Sequence, residues 1–130
     1  MHGTIGLAQH QDSVREQLDW LFNTRVPWPA DTLEARTRDG VRSTIDYGIA
    51  DLSLYPVENP GAMARLTRHL EEAIARFEPR IVAPKVVLER GERRDGMIVL
   101  LSGALRVDGQ QHPLSLRIPI QIEQGSAHAR

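Results

Sequence analysis

The hydrophobic period of this chain changes once, and that change limits what it can fold into. From Asn59 to Phe77 apolar residues recur every three or four positions: Met63, Leu66, Leu70, Ala73, Ile74 and Phe77 form one stripe, with Arg65, Arg68, Glu71, Glu72 and Arg76 off it. This is the pattern of a helix with one buried face. Beyond Pro84 the period becomes two. Leu114, Leu116, Ile118, Ile120 and Ile122 alternate with Ser115, Arg117 and Gln121, as in a strand with one buried and one wet face. Helices followed by strands, rather than alternating with them, point to an α+β domain. Its N-terminal helices pack on one face of a small, mainly antiparallel C-terminal sheet.

Local signals set the boundaries. Asn59 is a good N-cap and Pro60 suits the first helical position. Ser13 with Glu16 has the spacing of a capping box, so a first helix is expected over 13–23, carrying Val14, Leu18, Leu21 and Phe22. Val26-Pro27-Trp28-Pro29 breaks it. A short helix from Asp31 is interrupted at Gly40; a further turn with Val41 and Ile45 stops at Gly48, read as a left-handed cap, with Tyr47 as a packing residue. Residues 50–59 read as a loop. Strands are expected over 85–89 and 97–107, on either side of the charged 91–96 loop. Asp108-Gly109 then turns the chain into the 114–122 strand. Pro119 cannot donate to a ladder, which makes that last strand an edge. The organisation is a single domain over 13–123, with a flexible lead-in at 1–12 and a flexible tail at 124–130.

Composition narrows the function classes. A chain of 130 residues has room for one modest core. A net charge of −1 carries no electrostatic footprint for nucleic acid or an anionic membrane. With no cysteine there is no disulfide, thiol nucleophile or thiolate metal site, which fits a reducing compartment. The opening MHGTIGLAQHQDS lacks the basic start and apolar run of a signal peptide, and no apolar segment approaches the ~20 residues of a membrane span. A cytoplasmic protein is expected.

Catalytic signals are weak. The five histidines make no metal-ligand spacing, and His69 with Glu72 reads as a solvated surface pair. No dinucleotide or phosphate loop and no nucleophile elbow is present, and Ser102 lies in a strand without a nearby base. The interesting joint is FEPRIVAPKVVL, residues 77–88. There Glu78 adds negative charge to the negative end of a helix dipole, Pro79 stops the helix and Arg80 follows. In extended backbone Glu78 and Arg80 would project to the same side, stiffened by Pro79. Two readings follow: an internal salt bridge worth ~0–1 kcal/mol if exposed, or a two-pronged element for docking a partner.

Three ordered motifs bear on that choice. Ser13-Val14-Arg15 with Leu18-x-Trp20-Leu21 and Asn23-Thr24-Arg25, then Asp46-Tyr47-Gly48-Ile49-x-Asp51-Leu52, then Ile74-x-Arg76-Phe77-Glu78-Pro79-Arg80 resemble the TssE family. These are baseplate wedge components of type VI secretion, similar to the phage T4 wedge protein once labelled a lysozyme. The resemblance covers about residues 13–122, while 26–39 and Pro119 follow no family pattern. It implies a structural, non-enzymatic protein without cofactor, metal, nucleic-acid or small-molecule ligand. Glu78, Pro79 and Arg80 would bind wedge subunits. The edge strand with Leu114, Leu116, Ile118 and Ile120 would join sheath subunits and template the first sheath ring. Tyr47, Gly48, Leu66, Leu70, Ile74 and Phe77 would be structural. The competing reading, from the old label, is a peptidoglycan hydrolase with Glu78 as general acid.

Overall fold

The computed structural model describes residues 2–27, 29–38, 47–92 and 96–121. The chain runs α1 (His2–Phe22), α2 (Ala30–Arg38), a 3-10 turn at Leu52–Leu54, α3 (Pro60–Phe77), β1 (Ile81–Arg90), β2 (Gly96–Val107) and β3 (Gln110–Gln121). The strands form one antiparallel meander in the order β1-β2-β3. Helix α3 lies chiefly over β1, α1 over β2 and β3, and α2 on α3. This is the α+β arrangement with helices on one face of the sheet.

Helix α3 starts where its sequence says. The Asn59 side chain accepts from the Ala62 amide at 3.0 Å, and Pro60 follows it. Leu66, Leu70, Ala73 and Ile74 are fully buried, and Met63 and Phe77 pack against the core from its margin. Truncating Leu70 to Ala would cost about 2–5 kcal/mol. The stripe is wider than the apolar residues alone. His69 is 1 % exposed, and its Nε2 accepts the Ala50 amide at 3.1 Å. The expected solvated pair with Glu72 is therefore corrected. The segment entering the 3-10 turn lies against α3, and its buried backbone donor needs an acceptor that an aliphatic residue could not supply.

Helix α1 begins at His2, not at Ser13, so the lead-in read over 1–12 is helical from its second residue. Ser13 does not cap. Its hydroxyl instead accepts from Arg80, a contact across the fold that capping statistics do not foresee. Leu7 extends the Val14, Leu18, Leu21 stripe one step back along the same face.

Gly48 lies in glycine-favouring backbone (φ +135°), and a Cβ there would meet the Thr24 carbonyl oxygen at 2.6 Å. The glycine is needed because two chain segments touch: Ile49 N donates to Thr24 O and Val26 N to Ile49 O, each at 2.9 Å. The helical turn expected before it, with Val41 and Ile45, lies outside the described residues, as do Asp46 of the second motif, Trp28, Ile122 and the 124–130 tail. Strand β1 starts earlier than expected and carries a bulge between Val82 and Lys85, with Ala83 at φ +53°. The Asp108-Gly109 turn has φ +53° and +78°, the left-handed pair a two-residue hairpin requires.

Candidate functional site

At the end of α3 the Glu78 amide still donates to Ile74 O at 2.8 Å, and the Ile81 amide returns to Glu78 O at 3.1 Å. Residues 78–81 therefore form a tight turn with Pro79 at its second position, where a fixed φ is favourable. The expectation of extended backbone is corrected here. The two charges do not stand as parallel prongs; they close on each other. Arg80 Nε donates to Glu78 Oε2 at 2.7 Å and Nη2 to Oε1 at 2.9 Å, a two-pronged guanidinium–carboxylate fork.

The two partners differ in access. The Glu78 side chain is 6 % exposed and that of Arg80 30 %. The third guanidinium nitrogen, Nη1, donates to Ser13 Oγ at 3.3 Å, and Arg80 O accepts from the Arg106 amide at 2.8 Å. Tyr47 stands edge-on to Phe77 with ring centroids 4.9 Å apart, and its hydroxyl donates to Gln17 O at 3.2 Å. Burial holds the Tyr47 phenol above its ordinary pKa, and the Glu78 charge pushes it further the same way. The bond to Glu78 raises Arg80 against the opposing effect of its burial. Segments far apart in sequence thus meet on one surface: Ser13 and Gln17 of α1, Tyr47, and Phe77 to Arg80. Ser13 and Gln17 were not foreseen as part of it, although they lie one helical turn apart.

Both oxygens of Glu78 accept from the one guanidinium of Arg80. Among the described residues no group of three His, Asp or Glu side chains could hold a metal ion.

Strand β3 is an edge, as Pro119 suggested, and Leu114, Ile118 and Ile120 are buried with Leu116 partly so. Those four side chains face the core, so only their backbone could serve a partner. Pro113 and Pro119 share one parity, and lacking N–H groups they turn that side away from β2. Arg117 and Gln121 have the same parity, and their carbonyls already accept from Arg15 of α1 (2.9 Å) and from Arg25 just beyond it (3.0 Å). The expectation of a free outer backbone on β3 is corrected: proline and arginine occupy much of it. Burial lowers the Arg25 pKa, and Asp51 opposes that shift.

The opposite edge differs. On β1 the Val86 amide is held by Glu71 Oε2 at 2.9 Å, and Gly91 N pairs with Gly96 O. Leu88 and Arg90, with the parity of Val86, therefore aim their backbone outward. They border a groove walled by Met63, Ala64 and Thr67 of α3 and by Val57.

A further polar cluster was not visible in the sequence. Glu34 of α2, 8 % exposed, accepts the Tyr55 hydroxyl and Arg65 Nη2 (3.0 Å), while the Arg65 guanidinium carbon lies 5.5 Å from the Tyr55 ring centroid. Its three members come from three elements at irregular spacing, so no local pattern marks it.

Comparison with known proteins agrees with this architecture. A family model described as "Baseplate wedge protein gp25" matches residues 8–122. No curated protein matches the chain. A solved structure described as "The baseplate complex from the type VI secretion system" contains a chain that is 23 % identical. The match covers 88 % of this chain and 96 % of that one, with a TM-score of 0.55, and shows a shared fold. With α1 from residue 8 on, α2, α3, the meander and the Glu-Pro-Arg turn all inside the matched span, the chain belongs to the gp25 family of baseplate wedge proteins.

Proposed function

We propose that this chain is a non-catalytic structural component of a type VI secretion baseplate, joining wedge subunits to the contractile sheath. The observation that carries the reading is the convergence of its three motif segments around the Glu78–Arg80 fork. The buried carboxylate fixes the guanidinium, and the part of Arg80 left exposed offers donors at a set angle to a partner acceptor. Fixing such a side chain in advance lowers the entropic cost of binding. The chain works in the cytoplasm, and no described helix is long and apolar enough to cross a membrane.

Sheath contact in this reading uses strand addition, in which main-chain bonds supply affinity and register together. The β1 edge at Leu88 and Arg90 suits it better than the Leu114–Ile120 backbone, because the β3 edge is guarded. The joined strand then templates the first sheath ring.

Co-purification with wedge subunits tests the reading. Arg80→Ala should cost about 2–5 kcal/mol of binding, as for one member of a desolvated charge pair, with the fold intact by circular dichroism. Arg90→Pro should keep the fold and abolish sheath polymerisation, and Leu116→Pro should damage the sheet. Wild-type wedge affinity for folded Arg80→Ala would refute the docking role. Cell-wall lysis by the purified protein that disappears with Glu78→Gln would refute the non-catalytic one.

A further inference from the structure

The sheet has a second face, and its pattern is not that of a simple solvated surface. Opposite the core, outward positions of neighbouring strands bring apolar residues side by side: Val87 pairs with Leu100, and the next outward residue of β2 is Ile98, paired with Pro119. Val87 is 57 % exposed, one of three large hydrophobic residues left so open among the described residues. Ile98 is 6 % exposed yet stands outside the core cluster, on the floor of a hollow bordered by Gly91, Glu92, Arg117 and Pro119. The strip therefore ends in a recess that could take one aliphatic or aromatic side chain.

Charge around the strip leans positive: Lys85, Arg106 and Arg117 occupy exposed outward positions of the three strands, against Glu89 on the sheet and Glu92 at the rim of the hollow. No described helix covers this face, since α1 and α3 lie over the core side.

From this we infer a docking surface for an amphipathic helix of another protein, with an apolar stripe flanked by Asp and Glu. A twisted three-stranded sheet presents a shallow saddle on which a helix can pack. An acidic flank would meet Lys85, Arg106 and Arg117. A second copy of this chain fits less well, because sheet-to-sheet pairing would set the same cations against each other. An anionic membrane fits less well too, because Glu89 sits in the row beside Ile98. The inference does not rest on the baseplate reading; it concerns a face remote from the side on which α1 and α3 pack.

The test uses the isotope-labelled chain and two synthetic helical peptides with the same leucine stripe, one flanked by glutamate and one by lysine. The glutamate peptide should shift the amide resonances around Val87, Ile98, Leu100 and Arg117, and the lysine peptide should not. Val87→Asp combined with Arg117→Glu should weaken binding at least tenfold and leave Tm unchanged. Any of the following would overturn the inference: equal response to both peptides, shifts confined to the α3–β1 groove, no response up to ~1 mM, or binding to phosphatidylserine vesicles that outcompetes the glutamate peptide. Dimerisation removed by Val87→Asp would assign the face to a second copy instead.

Discussion

Two glutamates in this protein are buried beside an arginine, and they are built in opposite ways. Glu78 and Arg80 are two residues apart; one turn makes the fork, and neither helix packing nor sheet register is needed to bring the groups together. Glu34 and Arg65 are 31 residues apart, and their contact exists only once α2 has docked on α3 beside Tyr55. The first pair is a local device carried on the fold. The second is a clamp that holds part of the fold together. Burial alone does not separate the two roles, since both carboxylates are largely hidden from water; the length of chain that each contact closes does.

That contrast can be broken by measurement. The largest stability effect is expected for Glu34→Ala, which strands the buried Tyr55 hydroxyl without its acceptor. A loss of about 2–3 kcal/mol should appear in urea unfolding, with wedge binding per folded molecule unchanged. A smaller loss of stability that comes with weakened binding would show that the clamp also belongs to the docking surface.

Tyr55→Phe should cost roughly 1 kcal/mol, by removing one hydrogen bond while leaving Arg65 on the carboxylate. The same residue sets a pH dependence. Burial and the bond to Glu34 hold its phenol above its ordinary value of 10.0. Its stabilisation is therefore whole below about pH 10 and declines as the pH rises further, because the unfolded chain gives up that proton first. Stability measured from pH 9 to 11 should fall more steeply in the wild type than in Tyr55→Phe. Equal slopes would mean that the cluster does not govern alkaline unfolding.

Glu78→Ala is the smallest of the three. Arg80 is 30 % exposed and can turn to water, so about 1 kcal/mol or less of stability should be lost. A loss above that of Glu34→Ala would reverse the assignment of device and clamp.

What the sequence made legible follows the same division. Helix α3, its Asn59-Pro60 start, the Asp108-Gly109 hairpin and the edge position of β3 were readable because each depends on residues a few positions apart. Ser13 misled, since its capping geometry with Glu16 is local while its real partner, Arg80, is 67 residues away. His69 misled because a polar residue beside an apolar stripe looks solvated until the segment that covers it is placed. The Glu-Pro-Arg turn was found as a motif but misjudged as geometry. Pro79 gives equally well an extended dipeptide or the second position of a turn, and only the Ile81 bond to Glu78 decides between them. The guarding of β3 was half legible: Pro119 announced it, while Arg15 and Arg25 act through carbonyls that no pattern of side chains reports.

The unequal edges of the sheet have a consequence for growth. A sheet that can accept a neighbour at either side can lengthen both ways and has no built-in polarity. Here one flank is stopped by Pro113, Pro119 and two arginines, and the other is left with outward amides at Leu88 and Arg90. If subunits join this sheet by the strand addition proposed above, such a unit is a vectorial seed: additions would proceed from one flank, and the opposite flank would remain a terminus. The assembly would inherit a direction before any energy is spent in choosing one.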